Sequence, residues 1–80
     1  LNVQGFVFDL EVPLNEVPVI EGFPLKLEDP FTLVAAVNKD KSINALFKKL
    51  TDLDIKVKSM RNEANRLEEL FIEMVQNNEK

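Results

Sequence analysis

The amino-acid sequence predicts an α+β domain: a four-stranded mixed or antiparallel sheet with two helices on one face, in the order β-β-β-α-β-α. Three observations predict it. Several short runs alternate apolar and polar residues, the period of two that sets one face of a strand on a core. Two later stretches carry apolar residues at spacings of three and four, the stripe of an amphipathic helix. Prolines and polar clusters mark the boundaries between these runs.

Phe6, Phe8, Leu10 and Val12 alternate with Val7, Asp9 and Glu11 and make the first strand, which Pro13 ends because proline has no N–H for a ladder. Residues 13–24 contain three prolines and no sustained period, so they read as a loop with Leu14, Val17, Val19, Ile20 and Phe23 tucked against the body. Leu25 and Leu27 alternate with Lys26 and Glu28, and Glu28-Asp29-Pro30-Phe31 supplies a hairpin turn. Residues 32–37 are nearly all apolar, which fits a strand in the sheet interior. Ser42 then caps a helix whose stripe is Ile43, Leu46, Phe47, Leu50 and Leu53. Ile55 and Val57 alternate with Lys56 and Lys58 as a fourth strand. A strand, helix, strand order calls for a crossover connection.

The stretch from residue 59 to 74 has the least generic order in the chain. It reads as a strand end, a short polar turn at Arg61-Asn62-Glu63-Ala64, and a closing helix. Asn65 with Glu68 has the form of a capping box, and Glu68 and Glu69 suit the positive end of the helix dipole. Leu67, Leu70, Phe71, Met74 and Val75 form the second apolar stripe.

Eighty residues make a single domain spanning 1–80, and a chain this short buries only about 60% of the surface its unfolded form exposes. The first residue is Leu1, so the chain reads as a piece of a longer protein. No apolar run approaches the roughly 20 residues of a membrane span, so direct membrane insertion is not expected. Net charge is −4, yet it is unevenly spread: residues 1–38 carry −5, residues 39–66 carry +4 and the rest −3. The basic middle holds one aromatic, Phe47, so stacking residues for nucleic acid are thin and nucleic-acid binding is not expected.

The residues for common chemistries are missing. There is no Cys, which excludes disulfides, thiolate nucleophiles and zinc-thiolate sites, and no His, which excludes a Ser and His hydrolase. Gly5 and Gly22 stand alone, so no glycine-rich loop cradles a phosphate. Asp9 with Glu11, and Asp52 with Asp54, are the paired carboxylates, and neither pair has the spacing of a calcium loop. Both read as solvated faces. Phe47, Leu50, Phe71 and Met74 read as core rather than as a ligand pocket.

With residues 42–75 laid out as helix, strand, Arg-Asn-Glu-Ala-Asn, then Arg66-Leu67-Glu68-Glu69-Leu70-Phe71, the chain resembles the C-terminal accessory domain of ABC transporter ATP-binding subunits of the drug-export or ABC-2 exporter type. Family members have a Leu-Glu-Asp-Val-Phe-like helix start. Here Glu69 stands for the Asp, Leu70 for the Val, and Arg66 where Ser is common, which keeps an acidic first turn and an apolar face. The match covers about residues 41–75 and is looser before them. The resemblance implies a parent ATPase that is cytoplasmic, peripheral to the cell membrane, and dependent on ATP and Mg. It implies as partners the chain's own nucleotide-binding domain, a second ATPase subunit and, through the parent, a membrane permease. The ATPase motifs are outside this sequence, so the fragment itself is expected to be no enzyme and to hold no cofactor or metal. Arg61, Asn62, Glu63 and Arg66 are the expected partner contacts. A small-ligand-binding regulatory module and an unrelated protein-interaction domain are the alternative readings.

Overall fold

The computed structural model describes residues 3–64. Among them, β1 (Val3–Leu10), β2 (Leu25–Asp29), β3 (Thr32–Asn38), α1 (Ile43–Asp52) and β4 (Val57–Asn62) follow one another along the chain. The strands form one sheet in the order β2-β3-β1-β4, and every pairing is antiparallel. The two most apolar strands are therefore interior. β1 and β2 both run against β3, so they are parallel to each other with β3 between them; β3 and β4 flank β1 in the same way. These two interleaved crossovers give the strand order of the ferredoxin-like arrangement, with residues 11–24 as a loop where that arrangement has its first helix.

The core lies between the sheet, the loop and α1. Phe6, Phe8 and Leu10 of β1 and Leu33, Ala35 and Val37 of β3 meet Ile20 and Phe23 of the loop and Leu46 and Leu50 of α1. Phe47 is half-buried and meets Phe8 edge to face, with ring centroids 5.5 Å apart and planes at 88°, a favoured aromatic geometry. Pro13, Pro18 and Pro24 keep residues 11–24 out of a helix, since each lacks the N–H a helical turn needs. A turn folds the loop back instead. Gly22 takes φ +87°, Phe23 donates to the Ile20 carbonyl at 3.1 Å, and both apolar side chains drop onto the sheet.

The expected two helices on one face are corrected here. Among the described residues there is a single helix, α1, and the space beside it is filled by Leu14, Ile20 and Phe23 of the loop. The helix expected over residues 67–75 lies outside the described residues. Of the mixed or antiparallel four-stranded sheet that was expected, the antiparallel form is the one present, because each crossover skips one strand and lands beside an antiparallel neighbour. Two boundaries move as well. β1 begins at Val3 and ends at Leu10, two residues before Val12, and β4 continues through Arg61 and Asn62, where a polar turn was expected. The ladder with β1 extends it: Val7 faces Arg61 and Phe6 faces Asn62.

The ends of α1 follow local rules. Ser42 accepts a hydrogen bond from the Asn44 N–H at 3.0 Å, the expected cap. At the other end, Asp54 N–H donates to the Thr51 carbonyl and Ile55 N–H to the Leu50 carbonyl, both at 2.9 Å, which is a Schellman closure. The left-handed residue in it is Asp54, at φ 60°, where glycine is the usual choice. Asp54→Gly should therefore stabilise the fold by about 0.5–1 kcal/mol, because relief of the left-handed strain outweighs the exposed Lys56–Asp54 pair. Urea titration checks it, and a destabilised variant contradicts it.

The second face of the sheet is also dry at its centre. Val7, Val34 and Ala36 are at most 2% exposed, and Gly5 is buried beside them. Both edge strands are irregular, since the register shifts between Leu27 and Asp29 on β2 and opposite Asp9 and Leu10 on β4. Such bulges interrupt an edge as a template for another strand.

Candidate functional site

The end of β4 brings the expected contact residues into three different settings. Arg61 lies opposite Val7 and shares the second face with Asp9 and Ser59, which are paired in register. Asn62 lies opposite Phe6 on the other face and is exposed. Glu63 follows the strand, with its N–H donating to the Gly5 carbonyl at 2.9 Å. Arg66 lies outside the described residues.

Arg61 joins two acids. Its Nε donates to Glu63 Oε2 at 2.8 Å, and its Nη1 donates to Asp9 Oδ2. The Ser59 hydroxyl donates to the same Asp9 oxygen at 2.7 Å. These bonds to Ser59 and Arg61 hold the Asp9 carboxyl below the usual carboxylate range, and the neighbouring Lys58 adds to the effect. The bond to Glu63, and then that to Asp9, raises Arg61 further above its ordinary value. A depressed folded-state pKa contributes stability that is present above the unfolded value and is lost as pH falls through the folded one. The stability advantage of the wild type over Asp9→Asn should thus be full near neutral pH and vanish in strong acid, below the ordinary carboxylate range. Paired urea titrations from pH 7 to pH 2 read this directly, and a gap that stays constant with pH contradicts it.

Chemically the cluster is a fixed cation rather than a reacting centre. Guanidinium does not deprotonate near neutral pH, Ser59 has a carboxylate partner but no base with a matched pKa, and the acids are bound to donors. With five donors in its fork and a side chain 46% exposed, Arg61 has more donors than the two that Asp9 and Glu63 take among the described residues, and such a fork matches a carboxylate or carbonyl of another surface. Asp9 and Ser59 were missed as members of this group. They stand 50 residues apart in sequence, and only the β1–β4 register unites them.

The other candidates separate. Glu11 lies past the end of β1, where its N–H donates to the Lys56 carbonyl, so it does not pair with Asp9. Asp54 pairs with Lys56 at 3.2 Å, and no group of three or more potential ligands for a metal ion occurs among the described residues. Leu50 is core, as expected, and Phe71 and Met74 lie outside the described residues. An open depression of about 530 Å³ lies where β1 and β3 approach the start of α1, with Phe6 and Ile43 in its lining and Lys39 and Lys41 beside them. No polar side chain is buried among the described residues, so none is aimed into it to orient a ligand. No helix among the described residues is long and apolar enough to cross a membrane. No family model matches the chain, and no solved structure matches it.

Proposed function

We propose that this chain is the C-terminal accessory domain of an ABC-type export ATPase subunit, where it helps the subunit pack or dimerise in the ATPase that powers a membrane permease. The observation that carries the reading is the residue order of the second half: a helix, a strand with the basic residue Arg61 next to its end, then Arg66-Leu67-Glu68-Glu69-Leu70-Phe71. The helix and strand of that order have their counterparts in α1 and β4. Arg61, braced by Asp9 and Glu63, supplies a preorganised cation for a contact with the nucleotide-binding domain or the second subunit. ATP and Mg act in the parent's catalytic core, and the domain works at the cytoplasmic side of the membrane without entering it.

The coding sequence upstream of Leu1 tests this reading. It should encode a phosphate loop of the form G-x-x-x-x-G-K-[ST] followed by the remaining ATPase motifs. An open reading frame that starts near Leu1, or an unrelated domain in that place, would sink the proposal and favour a free-standing regulatory module.

A further inference from the structure

We propose that the hollow between the 11–24 loop and the end of α1 is where two copies of this chain meet about a two-fold axis, with Glu21 of each copy against Lys49 of the other. The first support is apolar surface left in water. Val19, from the loop, is 93% exposed and Leu53, the C-terminal cap of α1, is 52% exposed. Both line one depression of about 220 Å³, together with Ile20, Glu21, Lys49 and Asp52. Single exposed apolar residues are ordinary on a protein surface, but here two from distant parts of the chain share one hollow.

The second support is charge. The loop carries Glu11, Glu16 and Glu21 and no basic residue, whereas α1 presents Lys48 and Lys49 to solvent. Neither Glu21 nor Lys49 has an ion-pair partner among the described residues. A surface with an acidic half beside a basic half is its own complement: a two-fold rotation lays the loop of one copy on the helix of the other and pairs both charges twice. Asp52 is on α1 itself, three residues from Lys49, so the acid brought across the axis is Glu21. An unrelated partner would have to supply both signs in this order, and a second copy already has them. Val19 and Leu53 then close against the other copy at the centre. The patch is small, so the pairing is weak and fades with salt. It uses only exposed residues of this chain and holds whatever parent protein carries the domain.

Sedimentation of the chain at low salt should show a dimer with a dissociation constant below about 1 mM. Val19→Ser should weaken it several-fold, and Glu21→Lys or Lys49→Glu roughly tenfold, because each reversal sets like charges against each other. All three positions are exposed, so the circular dichroism of the fold should not change. The decisive sample is a mixture. Glu21→Lys and Lys49→Glu chains each repel their own copies, yet together they should associate about as tightly as the wild type, since every lysine at these positions then meets a glutamate. A chain that stays monomeric at about 1 mM overturns the proposal and leaves the hollow to a different protein. So does a dimer indifferent to these substitutions, or one that the mixture fails to rebuild.

Discussion

Replacing Phe8 with Ala is expected to lower the free energy of unfolding by about 3–5 kcal/mol. Phe8 has no exposed surface, stands on an interior strand with Leu33 and Met60 as its cross-strand neighbours, and meets Phe47 edge to face. Truncation removes the apolar contact and leaves a cavity that four surrounding elements cannot close together. For a chain of this length, with a total stability of about 4–12 kcal/mol, the loss takes the domain near its unfolding threshold. A urea titration should show a lower midpoint with an unchanged slope. A loss below about 1 kcal/mol would mean that the sheet and α1 are not held by this core.

Val34→Asp is expected to cost about 3 kcal/mol or more, since it places a charge at a site 1% exposed on the face opposite α1. An exposed edge substitution, Lys58→Gln, sets the scale and should stay within about 0.5 kcal/mol. If the second face were solvated, the two variants would behave alike. The contrast therefore separates a sheet buried on both sides from a sheet with one wet face, independently of what provides the cover.

Much of the first layer of this fold was legible in the sequence because local chemistry decides it. Ser42 announces its helix, the Ile43, Leu46, Leu50 stripe gives that helix its buried face, and the unbroken apolar run of 32–37 marks β3 as interior. The misreadings share a cause, which is that pairing is nonlocal. Arg61 and Asn62 look like turn residues by composition, yet the ladder with β1 holds them extended, and a bulge absorbs the mismatch. Asp54 ends α1 in a left-handed conformation that no glycine advertised. The proline-rich loop packs Leu14, Ile20 and Phe23 on the core as its apolar residues suggested, whereas Val17 and Val19 are exposed. In the candidate site, Arg61 and Glu63 were visible as near neighbours in sequence. Asp9 and Ser59 were not, since no local signal reports which strands become adjacent.

The proposed role, strengthening the association of an export ATPase subunit, is tested most directly by self-association of that subunit with and without residues 1–80. Sedimentation in the presence of ATP and Mg should show a dimer weakened roughly tenfold by the deletion, equivalent to about 1.4 kcal/mol, with ATPase activity per subunit falling at dilution. An unchanged dimer affinity together with unchanged ATPase activity would contradict the account.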